Sequence, residues 1–464
     1  MVQTLSFQLF DIQDREHLLP YLTKSSRTCD RTFTTMFCWQ QYYRAAWAES
    51  DGWLIIRAFI NGERRAAYIL LSQEDTPDYK MILPTVEADA AQLGLSLMLM
   101  GLTEPECDEL RRQCPDMFVF DNNRDFADYI YRTEDLRTLK GRKFAQKRNH
   151  ANKFKSLYPQ YRYEPITNEN IEDCLRLEEG WIAQHPDDEF AQGERKVIQM
   201  GLEHFHELGL IGGTLYVDNQ IIAFTYGSPV NSNMFCTHVE KADIRYDGAY
   251  QMINQQFALH LPDQYTLINR EEDLGMPGLR KAKMSYEPVE MAYKTTALKL
   301  TDEMRDFVHI WQQCFGETDL SVYTFLSRYY FSHCAMTEKV EGHVVSMAFM
   351  IPCQTNLGLG AYLYGIATLP EYQHRGISTR LINNLLERCK ANGALFSFLI
   401  PADENLDDYY DRSGYNATGT KAVFTCDMDL GTGDTKKDRI LILPLNEAFR
   451  MQTIPETLEC TPIL

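Results

Sequence analysis

The chain has 464 residues, a mass of 53.8 kDa and a formal net charge of −19, with 44% hydrophobic and 12% aromatic residues. That length supports two to four domains, each with a core of its own. Net negative charge on this scale excludes a general duplex nucleic-acid binder, whose affinity depends on basic side chains displacing counterions. The start, Met1-Val-Gln-Thr-Leu-Ser-Phe, lacks the basic stretch and long apolar core of a secretory signal, so a cytoplasmic location is expected.

In chain order, Trp53–Ile60 and Ala66–Leu71 flank Asn61-Gly62-Glu63, a β-hairpin signal. The apolar run Leu93–Leu102 is about half the ~20 residues a membrane span needs and is expected to be a buried helix. From Arg137 to Lys155 the sequence holds eight Lys or Arg and no acid. It is either a phosphate-binding face or an ordinary solvated one. A second hairpin pairs Gly213–Val217 with Ile221–Thr225 across Asp218-Asn219-Gln220. A strand at Met234–Lys241 follows it, then Arg245-x-x-Gly248-x-Tyr250 and a helical run through Met252, Ile253, Phe257 and Leu259. A third hairpin joins residues around Glu338 to Val344–Met350 across Glu341-Gly342.

Strand-like Tyr362–Leu369 leads into Gln373-His374-Arg375-Gly376-Ile377-Ser378-Thr379, a loop suited to a pyrophosphate. Glycine lets the backbone pass close to a ligand, and the first amides of the next helix are unpaired donors aimed at an anion. Ile377, Leu381, Leu385 and Cys389 recur every fourth residue, which sets that helix. Ala394–Ile400 is a further strand, followed by Tyr410-x-x-x-Gly414-Tyr415. The last thirty-odd residues read as a loop from Gly431 and one strand around Ile440–Leu443.

The twelve cysteines form no Cys-x-x-Cys pair and read as reduced, buried residues, and no metal site is expected. Gly358-Leu-Gly360 lacks the setting of a dinucleotide fingerprint. No P-loop string and no Gly-x-Ser-x-Gly elbow is present, which sets aside ATPase and serine-hydrolase readings.

The Gln373/Gly376/Ser378 loop with Tyr410-x-x-x-Gly414-Tyr415 resembles the GNAT acetyltransferase superfamily. That resemblance implies acetyl-CoA as acyl donor, its pyrophosphate on Gln373 to Thr379 and its carbonyl polarised by a strand amide at Ile366 or Ala367. Tyr410 then acts as general acid toward the coenzyme thiolate, and the acceptor is a small-molecule or peptide amine. Ser378 replaces the usual glycine or alanine, and Tyr362–Leu369 carries no carboxylate. The general base is therefore open, with Asp403, Glu404 or a water-relayed group as candidates.

Residues 1–297 carry Lys147-Arg148-Asn149-His150 with Phe154, Trp181, His238-Val-Glu-Lys241 and Asn269-Arg-Glu-Glu-Asp-Leu-Gly-Met-Pro-Gly-Leu-Arg-Lys-Ala-Lys-Met-Ser-Tyr286. In these they are similar to the C-terminal domain of phosphatidylglycerol lysyltransferase, itself a pair of GNAT-like folds. The resemblance implies an α+β architecture of tandem GNAT-like units, mixed central sheets flanked by helices, the first two units forming one module. Expected divisions are 1–297 (halves 1–135 and 136–297), 298–430 and an extension 431–464. Arg148, Lys153, Arg245, Gly248, Arg280, Lys281 and Lys283 are candidates for a second site, which could meet a tRNA end at 137–155. The activities left open are acetyl transfer in the C-terminal domain, aminoacyl transfer in the N-terminal module, and CoA binding without catalysis. Arg270, Glu271, Glu272 and Asp273 read either as site residues or as an ion-pair network that pins a loop.

Overall fold

Alternating and continuous apolar runs build twenty strands, distributed over two units in a computed structural model that describes residues 4–463 except 25, 61–64, 183–188, 318, 331–333, 403–405, 427–429, 431–438 and 451. One unit comprises residues 1–116 and 122–297, the other residues 117–121 and 298–464.

In the first unit, β1 (Ala46–Ser50), β2 (Trp53–Ile60), β3 (Arg65–Ser72) and β4 (Met98–Leu102) precede β5 (Phe118–Asp121), which belongs to the second unit. β6 (Asp128–Arg132), β7 (Arg162–Pro165), β8 (Ile211–Val217), β9 (Gln220–Pro229), β10 (Met234–Ala242), β11 (Leu267–Asn269), β12 (Glu290–Ala292) and β13 (Thr295–Lys299) follow. One sheet runs β1-β2-β3-β4-β13, the other β12-β6-β11-β10-β9-β8-β7. A single apolar cluster joins both halves, with Phe37, Trp47, Leu54 and Ile69 from the first and Ile198, Leu202, Phe224 and Tyr226 from the second.

The run Leu93–Leu102 is not a buried helix. The helix Tyr79–Gln92 ends before it, Gly94 takes φ +71°, and Met98–Leu102 becomes β4, parallel to β3. Interior parallel strands are continuously apolar, so hydropathy alone does not separate them from a short buried helix. The β8–β9 hairpin turns through Asp218 and Asn219, both at positive φ, as a two-residue turn requires. The Asn61-Gly62-Glu63 turn lies outside the described residues, though β2 and β3 pair on either side of it up to Ile60 and Arg65.

The second unit holds β14 (Ala335–Val340), β15 (His343–Thr355), β16 (Gly358–Thr368), β17 (Phe396–Leu399), β18 (Asn416–Phe424), β19 (Arg439–Pro444) and β20 (Thr457–Pro462). Its sheet runs β14-β15-β16-β17-β19-β18-β20, and β20 also pairs with β15, which closes the strands from β15 onward into a ring. The boundary expected near 430 therefore does not divide this sheet. Among the described residues two strands lie beyond it, not one, and β19 stands between β17 and β18. The Gly431 loop lies outside the described residues.

The helix Ile377–Ala391 packs its Ile377, Leu381, Leu385 and Cys389 face on Ala348, Met350, Ala361 and Leu363. The other face of β15 and β16 carries an aromatic cluster of Trp311, Phe325, Phe349 and Tyr364. Among the described residues no helix is long and apolar enough to cross a membrane.

Candidate functional site

In the second unit β16 and β17 are hydrogen-bonded in parallel only from Gly360–Tyr362 to Phe396–Phe398. Beyond Tyr362 the pairing to β17 ends while β16 continues to Thr368. On its other side β16 slips register, from Phe349↔Tyr364 to Met347↔Ala367. Two residues, Gly365 and Ile366, thus face one on β15, a bulge that re-aims the backbone. Gly365 has φ +58°, and a Cβ there would lie 2.8 Å from the Trp311 ring and 3.1 Å from Phe349. Only glycine fits both the angle and the space. Ile366 and Ala367, the expected carbonyl-binding positions, sit in and just after this bulge. An isolated glycine inside a strand pattern was the signal for it.

From β16 the chain passes through a short turn at Pro370–Tyr372 into the loop. The Gln373 side chain donates to the Thr368 carbonyl at 3.0 Å, and Arg375 donates to the Glu371 carbonyl at 2.7 Å, so both brace the loop's start. His374 and Gly376 take φ +60° and +72°. Gly376 is the N-cap of the helix Ile377–Ala391, and no side chain caps that end. A Cβ on Gly376 would meet nothing nearer than Arg380 Nη1 at 3.9 Å. The glycine therefore serves the conformation and leaves the space in front of the helix amides clear. Ser378, in the first turn, is tied back to the end of β16 by a 2.7 Å contact between its hydroxyl and that of Thr368, itself 2.7 Å from Ser346 Oγ. Arg380 is paired with Glu338 at 3.0 Å, a link with no sequence signal because the two lie 42 positions apart.

Tyr410 lies in the one-turn helix Asp407–Asp411, buried in the same cluster as Ile377, Leu381 and Leu385 and edge-on to Tyr415 at 6.2 Å. Burial first, and the neighbouring Tyr409 second, push its phenol well above the ordinary tyrosine range. Tyr409 instead faces the loop side, with its hydroxyl 3.5 Å from Thr379 Oγ1. Asp403 and Glu404 lie outside the described residues.

In the first unit, Arg245-x-x-Gly248 also leads into a helix, Ala249–His260, and Gly248 has φ +88°. A Cβ there would lie 2.6 Å from the His150 carbonyl oxygen and 3.1 Å from Phe154 Cβ. The helix Ala145–Leu157 thus fills the space that stays clear in front of Gly376. Arg245 is paired with Asp243 at 2.6 Å, and Lys153 with Asp247. Arg148 donates to the carbonyls of Leu139 and Gly141. Arg245 and Lys153 are thus paired with neighbouring carboxylates, Arg148 braces a turn, and Gly248 is backed by a helix as Gly376 is not. The sequence could not show this, because the filling helix is about a hundred positions away.

Arg280 binds Asp273 and Asp125, and Lys283 donates to the carbonyls of Arg270 and Glu272, while Lys281 is exposed. Lys294 Nζ lies 2.9 Å from both Asp128 and Glu272, and Asn269 and the Cys29 amide also donate to Asp128. Burial dominates at Asp128 and raises its carboxyl to about 7 despite Lys294. Lys294 wins at Glu272, which is held down to about 2. Arg270 pairs with Glu240 at 2.8 Å. Glu272, Asp273 and Arg270 are thus each held by a separate ion pair on the loop after β11.

Residues 23–298 match the family described as phosphatidylglycerol lysyltransferase, C-terminal, and residues 297–418 match the acetyltransferase (GNAT) domain. A conserved protein of unknown function from Bacteroides thetaiotaomicron is similar at 39% identity and a TM-score of 0.61, over 64% of this chain and 100% of that one. A GNAT family N-acetyltransferase of Escherichia coli, solved in complex with CoA, is similar at 12% identity and a TM-score of 0.28, over 35% of this chain and 86% of that one. An uncharacterised protein of Mycoplasmoides gallisepticum is 28% identical over 164 residues, 35% of this chain, and the chain spans about half (53%) of its length.

Proposed function

Because the chain belongs to the phosphatidylglycerol lysyltransferase C-terminal family and carries a GNAT acetyltransferase domain after it, both acyltransferase-type domains, we propose that its second unit transfers an acetyl group from acetyl-CoA to a primary amine. The observation that carries this reading is the pairing of an uncapped, unobstructed helix start at Gly376 with a bulged strand that has parted from its parallel neighbour. The first suits a pyrophosphate, the second an acyl carbonyl.

In this reading the amine nitrogen attacks the thioester carbon while a strand amide at Ile366 or Ala367 receives the developing oxyanion. A C–N bond forms, the C–S bond breaks, and Tyr410 gives its proton to the departing thiolate. Burial raises the phenol's pKa, so Tyr410 holds its proton at neutral pH as any tyrosine does but releases it less readily, and the transfer to the thiolate has to overcome that. Gln373, His374, Arg375, Gly376, Ile377, Ser378 and Thr379 hold the phosphates. The amine's own proton leaves to a base on another element, since β16 offers no carboxylate. The tRNA-end reading of residues 137–155 is weaker, because Arg137, Lys143, Arg148 and Lys153 all have partners within the chain.

Calorimetric titration of acetyl-CoA into the full chain and into Gly376→Glu tests the assignment. The new carboxylate would stand in front of the helix amides, so binding should disappear. Equal affinity in both proteins refutes the loop as the coenzyme site.

A further inference from the structure

β10 in the first unit repeats the device of β16. It pairs in parallel with β11 only from Met234–Cys236 to Leu267–Asn269, and against β9 its register slips between Thr237 and Val239. His238 is the extra residue of that bulge. Its ring is held on both sides, with Nε2 2.7 Å from Ser228 Oγ and Nδ1 2.9 Å from Glu271 Oε1. Glu271 comes from the loop after β11 and takes φ +56°, a conformation that costs a residue with a side chain. Its amide donates to Asn269 Oδ1 at 2.7 Å and its carbonyl accepts from the Tyr129 amide, so the turn that aims its carboxylate is fixed.

The same carboxylate oxygen is 3.7 Å from the sulfur of Cys236, which is fully buried. One donor atom from each of Cys236, His238 and Glu271 lies within 4.8 Å of the other two. A tetrahedral zinc ion, with bonds of about 2.0 Å to nitrogen and oxygen and about 2.3 Å to sulfur, holds such atoms roughly 3.3–3.6 Å apart. The separations of 2.9 and 3.7 Å bracket that spacing. The Ser228 hydroxyl can accept from Nε2–H as well as donate to Nε2, so Nδ1 can bind a metal while the ring keeps its outer hydrogen bond.

The neighbouring group of Cys29, Asp128 and Glu272 offers a contrast. There an ammonium already stands among the donors, with Lys294 Nζ 2.9 Å from both carboxylates. Among the described residues Glu271 is ion-paired with His238, whereas Lys294 and Lys283, the ammonium groups that act on Cys236 and Glu271, are bonded to other partners. Burial first, then Glu271, Asp128 and Glu272, push the Cys236 thiol well up, so without a metal it keeps its proton. A divalent cation reverses that balance and takes the thiolate.

Thiolate, imidazole and carboxylate together favour zinc over magnesium or calcium, which take oxygen ligands. The Glu271 side chain is 28% exposed and gives an ion its way in. We propose that Cys236, His238 and Glu271 form a zinc site with three protein ligands and a fourth position left for water. The site stands apart from the acetyl-CoA reading of the second unit, and it runs against the expectation of no metal drawn from the lack of Cys-x-x-Cys pairs. Ligand spacing did not reveal it, because the carboxylate lies 33 positions beyond the histidine.

The test is calorimetric titration of zinc chloride into the full, metal-stripped and reduced chain, in two buffers of different ionisation enthalpy. One ion per chain should bind and release about one proton at neutral pH, that of the Cys236 thiol. Cobalt(II) chloride in its place should give a thiolate-to-metal charge-transfer band and the intense visible bands of a tetrahedral complex. Cys236→Ser should abolish the charge-transfer band. Glu271→Gln, a change of one atom at a part-exposed position, should weaken zinc about a hundredfold, at least the cost of losing an outer partner of a ligand. Cys29→Ser should leave affinity and band unchanged, with circular dichroism checking that each variant is folded. No binding, equal affinity in wild type and Glu271→Gln, a cobalt complex without the charge-transfer band, or a band that survives Cys236→Ser would each overturn the proposal.

Discussion

Tyr410 unites what the sequence told and what it withheld. Its spacing from Gly414 made it a candidate acid, yet only the packing shows that the phenol is buried, against Ile377 and Leu381, which raises its pKa and makes it a weaker acid than a free tyrosine. Tyr410→Phe keeps that packing and removes the proton, so turnover should fall roughly a hundredfold while acetyl-CoA affinity, read by calorimetry, stays within about twofold. A titrating residue sets a second expectation. Asp128, ordinarily ionised below neutrality, is raised to about 7 by burial. A raised folded-state pKa means that the native state holds the proton better than the unfolded chain. Its contribution to stability is therefore complete below about 4 and lost as pH climbs through about 7. Urea midpoints of the first unit should fall between pH 5 and pH 8, and Asp128→Asn should flatten that slope. Glu272, held down to about 2, acts in the opposite sense, but its contribution is lost only in strong acid. No sequence pattern pointed to either value, because Lys294 and Asp128 are 166 positions apart.

At the scale of elements, helices were the most legible part. The fourfold spacing of Ile377, Leu381, Leu385 and Cys389 is a local property, and the observed helix Ile377–Ala391 carries it inward as expected. Hairpins were legible for the same reason, since each partner lies a few residues away. Of the two strand bulges, that of β16 had one local signal, Gly365, while that of β10, and the Ser228, His238 and Glu271 arrangement it creates, had none, because they arise from pairing between segments that carry no mutual signal. Gly248 and Gly376 show how one motif can have two outcomes. Both have positive φ, so alanine should cost each about 1–2 kcal/mol of strain. At Gly248 the added methyl also strikes the His150 carbonyl, while at Gly376 it meets open space. Gly248→Ala should accordingly lower the melting temperature clearly more than Gly376→Ala. Equal shifts would mean that the helix Ala145–Leu157 yields.

For the whole molecule, composition and spacing conveyed an α+β chain with repeated units. They misplaced the close of the last one, because a strand's membership in a sheet depends on partners far away in sequence. β19 and β20 complete the second sheet, and the Tyr362 hydroxyl donates to the Leu430 carbonyl at 2.7 Å beside them. A chain shortened at residue 430 keeps every residue proposed for catalysis and coenzyme binding. It should nonetheless fail to bind acetyl-CoA and should lose the melting transition of the second unit, with that of the first retained. Full binding by the shortened chain would show that the ring of strands is dispensable.

The same ring sets an order of events during synthesis. On the edge away from β16, Cys353, Gln354 and Thr355 pair with Pro462, Thr461 and Cys460. A nascent chain that has emerged through Pro444 already carries the loop, the bulge and Tyr410, but the seam of its sheet gapes. For that interval the ends of β15 and β18 are bare, and contacts so distant along the chain are slow to form. The interval in which this unit is open to misassembly is therefore set by how quickly the segment after Pro444 leaves the ribosome, not by any property of the proposed active site.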